Sequence, residues 1–269
     1  MQQQISNDIH YFQFESLSQL ANGRIQHAIF GRQGGLSPAP FDSLNLSVSV
    51  PDEKARVYAN RRRAFGLFGR DTDTLVHAHL VHDRRVATVT SASNGTWIEH
   101  VDGIITNQPG CGLTMNFADC TPILLYDPVR QAIGLGHAGW QGCVRDLPGA
   151  MVAAMQAEFG SRPEQLWAGI GPSIGPCCYE VGEPVIGAVR SVFDQPEQFL
   201  VPQPGQERPH LALPQANRQN LLRAGVPAAQ IELSDLCTAC RTDLFFSHRA
   251  ENGRTGRFGS IFLLTEESD

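Results

Sequence analysis

The chain has 269 residues, of which 42% are hydrophobic and 18% charged, and its formal net charge is −6. That length supports a sizeable core, and the composition excludes extensive disorder. A mildly acidic balance without a basic tract argues against a general nucleic-acid or anionic-membrane binder, and no apolar stretch reaches the ~18–20 residues that span a bilayer.

The N-terminal residues, MQQQISNDIHYFQFESL, lack a basic region followed by an apolar run, so a secretory signal is not expected and a cytoplasmic location is. From Ile25 to Arg32 the sequence reads as a strand running into a Gly34-Gly35 turn, and the following SPAPFDSLNLSVSVPDE reads as an ordered loop. A helix is expected from Glu53 to Phe68, carrying three consecutive arginines, Arg61, Arg62 and Arg63. His77–His82 and Arg85–Thr90 are β-like, and Ser91–Thr96 is a turn cluster. Four short apolar runs follow, Gly103–Thr106, Leu113–Phe117, Pro122–Tyr126 and Ala132–Gly136, as in a sheet covered on both faces. Leu147–Phe159 is the clearest helix, with Met151, Met155 and Phe159 at helical spacing and Gly160 as its stop. A strand at Leu166–Ile170, helices at Glu183–Phe193 and Leu213–Ala224, and late strands at Gln230–Ser234 and Arg257–Thr265 complete the pattern. With no repeat and no linker, the reading is one α+β (mixed α/β) domain with a large central sheet.

Three passages interrupt apolar strand signals with reactive groups: Leu80-Val81-His82-Asp83, Asn116 to Pro122 with Asp119-Cys120, and Gly136-His137-Ala138-Gly139-Trp140. Each puts a borderline or soft donor, His82, Cys120 or His137, near a strand end, where side chains from separate elements can converge. Two imidazoles and one thiolate suit zinc. With three protein ligands the metal keeps an open position, at which a water's pKa falls from ~15.7 towards ~7. The spacing is no compact finger motif, and taken singly Cys120 also fits a small buried apolar residue. Coordinates that put its sulfur more than about 6 Å from both imidazoles would end the metal reading, since bonds to zinc are ~2.0–2.3 Å.

The seven cysteines are odd in number and unaccompanied by a secretion signal, so reduced thiols or metal ligands explain them better than a disulfide framework. Cys237-Thr238-Ala239-Cys240 is a CxxC without a second CxxC, which reads as two ordinary thiols rather than half a zinc knuckle or a redox pair. The vicinal Cys177-Cys178 is a poor disulfide candidate. GxxxxGK[ST] does not occur, so P-loop chemistry loses its usual support. Arg32, beside Gly31 and Gly34-Gly35, and the run Ser247-His248-Arg249 offer groups that could grip a small anion, because a guanidinium matches phosphate oxygens bidentately.

GRQGGLS (31–37) with Ser43-Leu44-Asn45-Leu46, VHDRRV (81–86), DGIIT (102–106), ADCTPILLYD (118–127), HAGWQG (137–142), IGPSIGPCCYEVG (170–182), CTACRTDLFFSHR (237–249) and GR (256–257) occur in this order. Together they resemble the YfiH/LACC1 family, also called the multicopper polyphenol oxidase, laccase-domain or DUF152 family. The resemblance covers residues 25–265. It implies a single domain over 1–269 with an α/β/β/α layered CNF1/YfiH-like fold, residues 1–24 being an N-terminal extension or edge element.

It further implies a zinc held by His82, Cys120 and His137, with copper as the alternative metal. The implied activity is purine nucleoside phosphorylase, with adenosine deamination and methylthioadenosine cleavage. The partners would be a nucleoside and phosphate, with no nucleic acid and no membrane, and an open oligomeric state. On this reading Cys120, His82, His137 and Asp119 are catalytic, Asp119 as a proton carrier. Arg32, Asn45, Ser247 and Arg249 hold substrate. Three positions depart from the family pattern: Leu80 stands for a usual Gln, Asp83 for a usual Gly, where it reads as a turn cap, and Gln141 for a usual Arg, which removes a cation near the proposed metal. The competing readings are a copper-dependent polyphenol oxidase, an amidase editing peptidoglycan precursors, and a non-enzymatic module in which the metal holds the fold.

Overall fold

The computed structural model describes residues 1–265; residues 266–269, the last four of the expected domain, lie outside the described residues. A hairpin of β1 (Gln2–Ser6) and β2 (Ile9–Gln13) opens the chain, followed by α1 (Glu15–Ala21) and β3 (Ile25–Phe30). After a long ordered loop come α2 (Lys54–Gly66), β4 (Leu75–Ala78), β5 (Val86–Thr88), β6 (Trp97–Ile98), β7 (Gly103–Thr106) and β8 (Gly112–Phe117). The central hairpin of β9 (Thr121–Asp127) and β10 (Ala132–Ala138) leads into α3 (Trp140–Val144), α4 (Leu147–Phe159) and β11 (Trp167–Ile170). The last part holds α5 (Glu183–Val192), β12 (Leu200–Val201), β13 (His210–Leu211), α6 (Leu213–Arg223), β14 (Ile231–Leu233) and β15 (Phe258–Leu264).

The strands form two large sheets, as the α/β/β/α layering implied by the resemblance requires, where the residue pattern alone suggested one large central sheet. The first has the order β1-β2-β3-β15-β8-β4-β6 and the second β14-β11-β9-β10-β7-β5, with β12 and β13 pairing separately. Period-2 alternation decides which residues face inward. Leu113, Met115, Phe117 and Phe262 of the first sheet pack against Ile104, Leu124, Ile133 and Leu135 of the second in one apolar cluster. The opposite face of the first sheet (Ala28, Phe30, Ile261, Leu263) packs on Ala64 and Phe65 of α2. The opposite face of the second (Ile105, Ile123, Leu125) packs on Met151 and Met155 of α4 and Leu221 of α6. Helix, sheet, sheet and helix thus stack in four layers, a mixed α/β fold.

The helix expected at 147–159 is found with those bounds. The Asp146 side chain accepts from Gly149 N–H at its start, and Gly160 (φ +67°) terminates it in the left-handed conformation that a residue with a Cβ disfavours. The N-terminal hairpin and α1 lie within residues 1–24, and β1 is an edge strand of the first sheet. Among the described residues no helix is long and apolar enough to cross a membrane.

Candidate active site

The chain passes from the first sheet to the second three times at one end of the molecule, in the connections β4–β5, β6–β7 and β8–β9. Register fixes that end. Val86 pairs with Gly103, Gly103 with Gly136, and Thr121 with Ala138, so β5, β7 and β9 begin where β10 finishes. His82 lies in the first connection, Asp102 ends the second, Cys120 lies in the third, and His137 is the penultimate residue of β10. Residues 38 and 17 positions apart in sequence therefore meet without any local motif.

One ligand atom each from His82, Cys120 and His137 lies within 4.8 Å of the other two. Tetrahedral zinc bonds would set such atoms roughly 3.3–3.8 Å apart, so the three side chains fit a borderline divalent metal, zinc or copper. Gly139 keeps the space open: a Cβ there would sit 2.7 Å from the Cys120 sulfur and 3.4 Å from the His82 ring. His137 is buried and its ring lies 5.4 Å from that of Phe117, whereas His82 is exposed and faces the opening.

Asp102, which sequence reasoning did not single out, governs this geometry. Its carboxylate is fully buried. Oδ1 accepts from His137 Nδ1 and from His82 N–H, both at 3.1 Å, and Oδ2 accepts from Val81 N–H at 3.1 Å and Asp83 N–H at 2.8 Å. One side chain therefore orients the His137 imidazole, with Nε2 left for the site, and shapes the turn in which His82 takes φ +59°. Burial alone would raise the pKa of Asp102, but the His137 bond and the backbone amides bring it below the usual carboxylate range. Burial likewise opposes ionisation of Cys120, yet the charge and hydrogen bonds of His137 and His82 lower its pKa to about 6. Burial would lower His137, but the Cys120 charge and the Asp102 bond raise it to about 10. Without a metal the two form a thiolate–imidazolium pair.

The triangle opens into a cleft of about 1010 Å³. Its wall includes Trp140, Tyr179, Arg249, Arg257 and the rim residues His79 and Glu99. His79 Nδ1 and Glu99 Oε1 are 2.7 Å apart, and the His79 ring lies 4.8 Å from Trp97.

Asp119 borders the cleft with φ +81° and is engaged through both oxygens, accepting from Thr238 Oγ1 at 2.6 Å and Arg249 N–H at 2.7 Å. It fastens the 238–249 loop beside Cys120. Arg249 donates to Glu180 O at 2.9 Å, and its guanidinium lies 5.0 Å from the centre of the Tyr179 ring.

The other expected substrate residues stand back from the cleft lining. Arg32 pairs with Glu251 at 3.1 Å, donates to Asp42 O and Thr242 O, and lies over the Phe246 ring. The Ser247 hydroxyl is buried and accepts from Ala250 N–H. Asn45 is buried too, but it acts at one remove: its Oδ1 accepts from Arg257 N–H and from Ser47 N–H, and Arg257 and Ser47 border the cleft.

Arg257, missed as a site residue, had only the Gly256-Arg257 motif to signal it. The arginine trio of α2 divides: Arg61 is buried behind the Ser47 loop, donating Nε to Leu46 O, while its two terminal nitrogens have no hydrogen-bond partner. Asp83 caps its turn by accepting from Arg84 N–H at 2.9 Å, and Gln141 lines the cleft where the family pattern has Arg.

The two cysteine pairs read separately from the sequence come together: the sulfurs of Cys177, Cys178, Cys237 and Cys240 lie within 4.8 Å of one another.

A family model described as multi-copper polyphenol oxidoreductase laccase matches residues 26–265. The chain belongs to this family, that of YfiH and its relatives. Among curated proteins, it is 37% identical over 242 residues to "Purine nucleoside phosphorylase YlmD" of Bacillus subtilis, covering 87% of each chain. It is 34% identical over 224 residues to "Adenosine deaminase RL5" of an unknown prokaryotic organism, covering 81% of this chain and 85% of that one. The crystal structure of the Bacillus licheniformis hypothetical protein YfiH superposes with a TM-score of 0.89 at 34% identity, covering 97% of both chains. These names support an enzyme of the purine nucleoside phosphorylase-like family.

Proposed function

We propose that this chain is a zinc-dependent purine nucleoside phosphorylase that also deaminates adenosine and cleaves methylthioadenosine. The observation that carries the reading is the His82–Cys120–His137 triangle at the floor of a cleft large enough for a nucleoside and an anion. A relative named for phosphorolysis and another named for adenosine deamination support assigning both reactions to one site. Among the described residues this triangle is the one His-containing ligand group, which favours a single-metal site over the several centres of a multicopper oxidase.

A bound zinc would supply positive charge and acidify a water at its open position. The protein's own part is positional. Asp102 holds His137 in the tautomer that offers Nε2, and both imidazoles stabilise the Cys120 thiolate. Trp140 and Tyr179 provide aromatic surface for a purine. The Arg249 and Arg257 guanidiniums give the cleft the positive charge a phosphate needs as it attacks ribose C1′ and the base departs. His79, hydrogen-bonded to Glu99 at the rim, is placed to pass a proton to the leaving base or to ammonia. Leu80, Ile174 and Leu213 add apolar wall for a methylthio group.

The test is product identification with adenosine plus phosphate, alongside metal analysis. The expected products are adenine with ribose 1-phosphate, and inosine from deamination. Cys120→Ala is expected to lose both bound metal and turnover. Full activity in metal-free Cys120→Ala protein, or phenol oxidation without nucleoside turnover in metal-assayed protein, overturns the reading.

A further inference from the structure

We infer that Cys177, Cys178, Cys237 and Cys240 form a second metal site, a closed four-thiolate zinc centre that clamps two loops of the catalytic cleft. The inference goes beyond the proposed activity and does not depend on it. The four sulfurs lie within 4.8 Å of one another. Those of Cys177 and Cys178 are 3.3 and 3.2 Å from that of Cys240. A tetrahedral ion with bonds of ~2.3 Å separates its sulfurs by about 3.8 Å, whereas a disulfide needs ~2.05 Å. The cluster thus has the dimensions of an ion-centred set. Soft thiolates in fours select zinc among common divalent ions, and four ligands leave no open position, which marks a structural site.

The backbone favours thiolate at Cys237, where Gly175 N–H donates to the sulfur at 3.3 Å. An N–H donor of this kind stabilises the negative charge of a metal-bound thiolate. On the other side, Cys178 N–H and Tyr179 N–H both bond to Gly175 O at 3.0 Å, a tight turn that brings the two vicinal sulfurs towards the CxxC. The loops are already joined by a Ser173–Cys237 bridge and by Thr238 N–H to Ser173 O at 3.2 Å.

The position gives the ion a task. Tyr179, next to Cys178, lines the cleft and faces the Arg249 guanidinium. Thr238, between the two cysteines of the CxxC, donates to Asp119, the neighbour of Cys120. A centre at the four sulfurs would therefore fix the wall beside the catalytic triangle. Binding replaces four thiol protons: four Cys–SH and Zn²⁺ give the tetrathiolate complex and four H⁺, with no change of oxidation state.

The experiment isolates this centre in Cys120→Ala protein, purified under reducing conditions, stripped and titrated with cobalt(II). The expected result is thiolate-to-cobalt charge-transfer absorption with the visible bands of tetrahedral coordination, saturating at one equivalent and displaced by zinc. Adding Cys237→Ser with Cys240→Ser should abolish that signal. In wild-type protein, zinc removal should speed hydrogen exchange in residues 173–182 and 236–249. No thiolate–cobalt absorption in folded Cys120→Ala protein overturns the proposal, whatever the double variant does. So does an intact mass two hydrogens lighter under non-reducing conditions with Cys240 disulfide-bonded to Cys177 or Cys178. If the nucleoside activity fails while the cobalt site fills, the function falls and this centre stands.

Discussion

Replacing Asp102 by Asn tests the positioning argument most directly, because the two side chains have the same shape and differ in what they can accept. In the native site both oxygens are acceptors, each serving two donors at 2.8–3.1 Å. The amide has one oxygen. Turned either way, its NH₂ group confronts two N–H donors: Val81 and Asp83, or His82 and His137. Two hydrogen bonds to a charged group, each worth roughly 1.5–3 kcal/mol, are lost. Relaxation of the exposed 81–83 turn recovers part of this.

We therefore expect the metal-free variant to lose on the order of 2–4 kcal/mol of unfolding free energy. Zinc affinity should fall about 10–100-fold, as for other partners of ligand histidines, equivalent to roughly 1.4–2.7 kcal/mol. Urea unfolding of stripped protein measures the first quantity and competition with a fluorescent chelator the second. A folded Asp102→Asn protein that binds zinc as tightly as wild type would refute the claim that this carboxylate sets the ligand geometry.

Three further outcomes follow from other parts of the molecule. Burial lowers the pKa of His27 to about 4, although Glu232 opposes the shift; burial, with the Arg61 charge, does the same to His77. Both folded values lie below the unfolded ~6.5, so the stability they contribute is complete above that pH and is lost as pH falls from about 6.5 to 4. The loss is on the order of 3 kcal/mol per residue, read as a falling urea midpoint, and a flat midpoint across that range would contradict it. Arg257→Met should raise the phosphate KM by about tenfold or more, the worth of a charged hydrogen bond, while leaving nucleoside KM much less affected; an unchanged phosphate KM would remove Arg257 from the anion site. Gly169→Ala should cost roughly 1–3 kcal/mol by overpacking, because its Cβ would meet the Phe14 ring at 2.4 Å; a thermal midpoint equal to wild type would show that the Phe14 ring is not packed on β11 at Gly169.

The middle of the fold is legible in the sequence because its strands are buried and punctuated. Gly103–Thr106 is found with the bounds expected, and Leu147–Phe159 has a cap at each end. The three ligand passages are visible for the same reason: a polar, reactive group at the end of an apolar strand is costly to bury unless a partner or a ligand satisfies it. Other features leave no such trace. β1 is an edge strand opening on Gln2-Gln3-Gln4, with no alternation to read, and α3 has only five residues. Alternation is the same whether strands belong to one sheet or two, so the doubling is hidden. Asp102 precedes a strand like any turn aspartate, and its four donors come from residues 19 to 35 positions away. The cysteine cluster joins pairs some 60 residues apart, where neither pair has the spacing of a complete site.

The β10 sequence Ala-Ile-Gly-Leu-Gly-His-Ala shows how closely site and core are bound together. Ile133 and Leu135 face the other sheet and belong to the inner core, and His137 continues that row at period 2, against Phe117. Gly134 and Gly136 occupy the opposite face; a Cβ at Gly136 would sit 2.4 Å from the Met151 sulfur of α4, and one at Gly134 would crowd Ile105 and Met151 at 3.1 and 3.3 Å, so the small residues leave room for the outer helix. A slip of one residue in the β9–β10 register would exchange the rows. It would push Ile133 and Leu135 into α4, put glycines in the inner core and aim His137 at Met151. His137 is thus held by the apolar side chains two and four residues before it, and the register that buries them also delivers the imidazole to Asp102 and Cys120.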